Sequence, residues 1–198
     1  MAIVASSDLD FEKRTTALAI HAFAVAHAAV AFTLSQTMVG DELVLATLSV
    51  AMIQSVARVY GRKWGAAEAR AVIGVLAGGY VGTRFGIAFV KWIPGIGNGA
   101  NAAAAFTTTE LLGWITYILV KQNRDPSKLT REEKKELQRE AEELRNDKTG
   151  EELYNKMSTQ DKKKFDDLMS QFRRMAREDD AKREELIQKI SEIVKKYG

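Results

Sequence analysis

The chain has 198 residues, a formal net charge of +3 and no cysteine, which excludes a disulfide framework, a thiolate zinc site and a cysteine nucleophile. Its charges are unevenly distributed: residues 1–120 hold 8 Lys or Arg and 7 Asp or Glu, whereas residues 121–198 hold the other 21 and 19. Neither half has the positive excess of a nucleic-acid binder, and two histidines alone cannot build a His-rich metal site. We therefore expect no nucleic-acid partner, no metal and no cofactor.

The first 120 residues contain four long apolar runs. A polar lead-in with a candidate helix N-cap at residues 6–8 precedes residues 15–40, which carry no formal charge. This run is long enough to cross a bilayer as a helix and too long for the apolar core of a signal peptide. Three further runs follow, over residues 43–57, 71–90 and 102–120, with a glycine-rich loop over residues 91–101 before the last. The pattern predicts four helices in two hairpins.

From residue 121 the composition becomes that of a small, highly charged helical domain. Asp125-Pro126 marks a break, and Thr130 with Glu133 predicts a capping box for a helix that extends to about Arg145. Thr149 with Glu152 predicts the cap of a short helix. Ser158 with Asp161 predicts the start of a further helix. Two sets of apolar residues then recur at helical spacing: Phe165, Leu168, Met169, Phe172 and Met175, and Leu186, Ile187, Ile190, Ile193 and Val194. We predict an all-α protein with a four-helix membrane domain over residues 1–122 and a charged cytoplasmic helical domain over residues 126–198.

The apolar runs favour membrane helices, with a soluble alanine-rich bundle as the alternative. A helix of a soluble bundle needs a polar outer face, and residues 15–40 offer only Thr, Ser, Gln and His for one. Basic residues cluster before the first run, around the second turn and after the fourth run, and only Lys91 lies on the opposite side. The positive-inside rule then predicts that both termini and the middle loop lie in the cytoplasm. We expect the inner (cytoplasmic) membrane of a bacterium as the location.

Four glycines at i+4 spacing form a stripe along the third predicted helix: Gly74, Gly78, Gly82 and Gly86. In water each glycine costs a helix roughly 1 kcal/mol relative to alanine. In lipid, small residues let two helix backbones approach closely. Three roles are open for this glycine stripe: packing within one protomer against residues 102–105, homo-oligomerisation, and the lining of a pore.

Three charged residues lie within or near the predicted spans, namely Arg84, Lys91 and Glu110. Burying such groups in a membrane is costly, so each is a candidate for a conducting or sensing role. The alternative is a structural pair between Glu110 and one of the two basic residues, whose long side chains reach towards the interface. His21 and His27 are six residues apart and share no helix face, so they predict no metal site.

A glycine-rich turn, an alanine-rich helix and a Thr-x-x-x-Gly motif follow one another at Lys91, Ile93, Pro94, Gly95, Gly97, Thr109 and Gly113. This order resembles the signature of the YcjF-like family, uncharacterised membrane domains that are fused to, or encoded beside, small GTPases. An upstream helix that ends at Tyr60-Gly61 is similar too, so the resemblance covers about residues 20–121. It implies a helical, membrane-associated domain without established catalysis. The chain has no G-x-x-x-x-G-K-[ST] motif, so a GTPase would have to act in trans.

These patterns leave two predicted functions. The chain contains no hydrolase, metalloprotease or dinucleotide-binding motif, so we do not expect an enzyme. The first function is a homo-oligomeric, membrane-perturbing or pore-type module with a cytoplasmic regulatory domain. The second is a membrane-bound adaptor whose charged segment recruits a GTPase or another cytoplasmic partner. The lysines at residues 162–164 favour a solvated helix face over contact with anionic headgroups.

Overall fold

The computed structural model describes residues 2–34, 41–79, 98–174 and 180–198, with side chains over residues 10–32, 47–76, 102–172, 174 and 181–198. These residues are all-helical, as predicted, and contain no β-strand. A 3-10 turn, Pro126–Lys128, follows the fourth α-helix. The α-helices are α1 Ala2–Leu34, α2 Asp41–Val59, α3 Ala66–Gly79, α4 Asn98–Lys121, α5 Arg131–Arg145, α6 Thr149–Lys156, α7 Thr159–Arg174 and α8 Asp180–Lys195.

Helices α1 and α4 lie at the centre of the fold and are called the central pair below. They pack against each other, α1 also contacts α2, α6 and α8, and α4 also contacts α2, α3 and α5. Residues 15–20 of α1 and 111–120 of α4 are buried without interruption. Because these stretches exceed one helical turn, both helices are covered on every side there, whereas parts of α1 such as Phe11 and Phe32 are exposed. The expectation of a polar outer face on each helix does not hold here, since other helices surround these two.

Helices α5 to α8, called the charged layer, pack over the central pair and α2. Their predicted apolar positions point inwards, and the buried ones are Phe165, Leu168, Met169, Phe172, Leu186, Ile187, Ile190 and Val194. These residues join buried residues of α1, α2 and α4 in one hydrophobic cluster. Full burial of one such side chain is worth about 1.5–3 kcal/mol. The composition of the chain therefore changes at residues 122–126, but the residues on both sides of this change share one core. The division into two domains stays a prediction.

Two of the predicted helix starts in the charged layer are confirmed. At α5, Thr130 Oγ1 accepts a hydrogen bond from Glu133 N at 3.2 Å, and Glu133 Oε2 accepts one from Thr130 N at 2.7 Å. At α7, Asp161 N donates to Ser158 Oγ at 3.1 Å. Each contact satisfies an N–H group that the first turn of a helix leaves without an intrahelical partner.

Three other predicted boundaries are wrong. Thr149 lies inside α6 instead of capping it, and its N–H and hydroxyl both donate to Asp147 Oδ1. Helix α1 begins at Ala2, before the predicted cap at residues 6–8, because helical hydrogen bonding continues through the polar lead-in. Helix α4 begins at Asn98, inside the predicted loop, although the glycines there favour a later start.

Two helices have the length and composition to cross a membrane: α1 over Asp10–Phe32 and α4 over Ala102–Lys121. Within the apolar window of each, 72% of the residues are buried inside the fold. The described apolar part of α2, Thr47–Val59, is shorter than a span, and the predicted third span is described only as far as residue 79. The described residues thus contain two of the four predicted spans. A core helix of a water-soluble protein passes the same test of length and composition.

Candidate functional site

The central pair is held together by a close approach of α1 and α4 at Gly113. A Cβ at this position would lie 2.5 Å from Ile20 Cγ1 and 2.8 Å from its Cγ2. With Ile20 in this position, only glycine therefore fits at residue 113. The family-like motif also includes Thr109, whose hydroxyl donates to the Ala105 carbonyl at 2.7 Å within α4. Both residues thus serve the packing of an apolar helix.

A polar pair lies within this apolar contact. His21 Nδ1 of α1 and Glu110 Oε1 of α4 are 3.3 Å apart, and their side chains are only 13% and 14% exposed. The His21 ring also packs against Phe106 and Tyr154, with ring centroids 5.4 and 5.5 Å away. Glu110 was expected to pair with Arg84 or Lys91, which lie outside the described residues. Its described partner is His21, so the carboxyl group of Glu110 in α4 contacts the imidazole of His21 in α1.

His27 lies deeper and contacts α2 instead. Its Nδ1 is 3.0 Å from the Phe23 carbonyl, and its Nε2 is 3.5 Å from Ser49 Oγ. These distances fit an imidazole that donates through Nδ1 and accepts through Nε2. The two histidines point to different neighbours, as their spacing predicts. Among the described residues, no three His, Asp or Glu side chains come together in a way that could hold a metal ion.

The charged layer contacts α1 closely at Gly150, in the first turn of α6. A Cβ on Gly150 would overlap with the carbonyl oxygen of Ala17 and would lie 3.0 Å from the Cβ of His21. Further along α1, the rings of Phe23 and Phe165 meet edge to face with centroids 5.5 Å apart. We call the surface formed by Ala17, His21 and Phe23 of α1 with their partners in α6 and α7 the layer interface. It is the candidate functional site of this chain.

Polar contacts connect the charged layer to the apolar helices around the layer interface. Lys13 Nζ of α1 lies 2.9 Å from Asp147 Oδ2, and Arg58 of α2 forms an ion pair with Glu184 of α8. The buried amide of Gln138 in α5 donates to the carbonyls of Val75 and Leu76 in α3, at 2.8 and 3.0 Å. Apart from the Gln138 amide, these ties are partly exposed ion pairs, which contribute little to stability.

Asp147 is the titratable group most clearly shaped by this interface. Partial burial opposes its ionisation, but hydrogen bonds from Thr149 and Lys13 outweigh that effect and lower the pKa of Asp147 to about 2. Because the ordinary pKa is 3.8, the folded state favours the charged carboxylate more than the unfolded state does.

Asp147→Asn should therefore remove the part of the free energy of unfolding that depends on the ionised Asp147 carboxylate. A depressed folded pKa stabilises the fold above the unfolded pKa and ceases to do so as the pH falls through the folded pKa. The variant should be less stable than wild type at pH 5 to 7, and the difference should shrink between about pH 4 and pH 2. Urea unfolding at a series of pH values measures it, and a difference independent of pH would contradict the assignment.

The charged layer also contains a carboxyl that is more deeply buried than that of Asp147. Asp161 is 5% exposed and accepts hydrogen bonds from Lys196 Nζ and the Tyr197 hydroxyl, both at 2.6 Å. These partners hold the pKa of Asp161 well below its ordinary range. Asp161 thus joins the start of α7 to the residues that follow α8.

The glycine stripe is described in part. Gly74 is exposed on α3, and a Cβ there would meet nothing within 4 Å. The predicted packing against residues 102–105 is therefore not present at Gly74. Gly78 lies in α3, but its surroundings are outside the described residues, as are Gly82, Gly86 and the motif residues Pro94, Gly95 and Gly97. For these residues the predicted roles stay predictions.

Two surface grooves lie elsewhere in the described part of the chain. One, of about 480 Å³, runs between α7 and α8, where lysines and carboxylates lie side by side. The other, of about 240 Å³, lies between α8 and the turn that precedes α3. Both are away from the contact of α1 with α6, so the layer interface remains the candidate site.

Comparison with known proteins gives no relative: no family model matches the chain, and neither the curated proteins nor the solved structures contain a match. The resemblance to the YcjF-like family stays a prediction from the motif residues. Sequence reasoning missed the roles of His21, Asp147 and Gly150. Each role depends on a residue far away in the chain, and the only local signal was a glycine in the first turn of α6.

Proposed function

We propose that this protein is a membrane-perturbing module that acts as a homo-oligomer, with α1 and α4 as the helices that enter the bilayer and the charged layer as a regulatory part on the cytoplasmic side. The observation that carries the proposal is the length and composition of the central pair. At 1.5 Å per residue, the 23 and 20 residues of the two stretches span about 35 and 30 Å, against a hydrocarbon core of about 30 Å.

The chemistry inside the central pair supports the same proposal. Its described interior charge, Glu110, has a partner in His21, and such pairing lowers the cost of an ionisable group in lipid. The side-chain hydroxyls of Thr109 and Thr116 donate to the carbonyls of Ala105 and Leu112 in the same helix, so both hydroxyls have a hydrogen-bond partner. At Gly113 the missing side chain leaves room for the side chain of Ile20 against α4, and small residues at helix contacts are typical of membrane helices.

The oligomer in this proposal forms through the glycine stripe. Gly74, its described member, is exposed and has open space above it, so a second helix can approach there. Membership of the YcjF-like family and the inner membrane with cytoplasmic termini belong to the same proposal, whereas a GTPase partner in trans belongs to the alternative of a membrane-bound adaptor.

Release of a dye from sealed vesicles tests this function. We expect the purified protein to release dye at a rate that rises more steeply than linearly with the protein-to-lipid ratio, because several copies must assemble. Dye retention at every ratio would overturn the proposal, and firm binding to intact vesicles would favour the adaptor instead.

A matched pair of variants identifies the helix responsible. Ala29 in α1 and Ala181 in α8 are both exposed helical alanines, so arginine at either position is compatible with the compact fold. A charge near a helix centre costs about 2.5–3.5 kcal/mol on insertion, so Ala29→Arg, which lies nearer one end of its span, should slow release by about tenfold. Ala181→Arg should release dye like wild type. Equal rates for both variants would mean that α1 does not enter the bilayer.

A further inference from the structure

The charged layer has two very different faces. Its inward face supplies phenylalanine, leucine and isoleucine side chains to the shared core, and its outward face carries exposed lysines and carboxylates. The layer therefore gives the central pair a water-compatible surface. Without it, α1 would expose the apolar residues Ala17 and Phe23, which α6 and α7 cover in the fold.

The helices of the charged layer each pack on the apolar helices, and α7 and α8 also pack against each other. The layer follows α4 through a short link in which Asn123 has a φ of 53°, a conformation that few residues other than glycine and asparagine adopt readily. Internal contacts at Asp161 join α7 to α8. Among the described residues, the cross-contacts include two partly exposed ion pairs, the Gln138 amide and apolar packing.

We propose that the charged layer is an autoinhibitory cover that must separate from α1 and α2 before the central pair can enter a bilayer. The separation exposes apolar surface, so it is favourable only where lipid replaces the lost contacts. The layer interface, with Gly150 on Ala17 and Phe165 on Phe23, is the surface that opens. This inference rests on the proposed function and adds its regulation.

A reversible cross-link tests the cover directly. The chain has no cysteine, so Arg58→Cys with Glu184→Cys introduces the only two thiols, at an ion pair that joins α2 to α8. A bis-methanethiosulfonate reagent links these thiols, and a reductant cleaves the link. The control is Glu185→Cys with Lys189→Cys, two exposed positions one turn apart on α8 whose side chains are 2.5 Å apart in wild type. The same reagent joins them without tying the layer to the apolar helices.

We expect the Arg58–Glu184 variant to retain dye in vesicles while it is cross-linked, and to release dye once the link is reduced. The control should release dye equally in both states. Release by the cross-linked variant at the rate of its reduced form would overturn the cover and leave the proposed function standing. Dye retention by both variants in both states would overturn the proposed function and the cover with it. Circular dichroism of each sample before the assay confirms that the cross-linked protein is folded.

Discussion

Gly150→Ala should lower the free energy of unfolding by about 1–3 kcal/mol, the usual cost of forcing extra volume into a packed interior. The added methyl group would overlap with the backbone oxygen of Ala17. A backbone atom inside a helix cannot turn aside as a side chain can, so α6 must move away from α1. Urea unfolding followed by circular dichroism measures the change.

Gly74→Ala is the matched control for this prediction. Gly74 is also a helical glycine, but it is exposed and a Cβ there meets nothing within 4 Å. Alanine should therefore stabilise α3 by up to about 1 kcal/mol through its better helix propensity. Opposite signs for the two substitutions are the expected result. A stabilised Gly150→Ala variant would mean that α6 does not rest on α1.

The second large effect is expected at Phe23 and Phe165, which meet across the layer interface. Both side chains are fully buried, so alanine at either position should cost about 3–5 kcal/mol. Because the rings contact each other edge to face, the double variant should recover about 0.5–1.5 kcal/mol relative to the sum of the single ones. Phe11→Ala is the control, because Phe11 is 40% exposed and its loss should change stability little.

The same variants test the division into two domains. Phe23 belongs to the apolar half of the chain and Phe165 to the charged half, yet both lie in one hydrophobic cluster. We expect each substitution to shift a single cooperative transition that involves the whole fold. Two separate transitions, with each variant shifting only one, would support independent domains instead.

The sequence predicted the charged half in more detail than the apolar half, for a physical reason. In α7 and α8, apolar residues stand out against charges at a helical period, so the buried face could be read directly, from Phe165 to Val194. The apolar runs of α1 and α4 contain few polar residues and almost no charge, so the pattern contains little contrast that would indicate a face. Such a helix is equally suited to lipid and to the centre of a helical fold.

The contacts of the candidate site were out of reach of sequence reasoning. His21 and Glu110 are 89 residues apart, and nothing near either one in the chain indicates the other. Gly150 follows the predicted cap residue Thr149, and its importance follows only from the position of Ala17 beneath it. Asp147 and Lys13 likewise meet across most of the chain.

The position of the charged layer after the central pair also sets the order in which the protein is made. All of α1 and α4 has been synthesised by residue 121, whereas the last helix of the layer ends at Lys195. At translation rates of about 5–20 residues per second, roughly 4–15 s separate these two points. During that interval the apolar helices exist without the helices that later bury them. Under the proposed function, a nascent chain beside a bilayer would meet lipid before its last covering helix is complete, and the place of synthesis would then help to decide which partner buries the central pair.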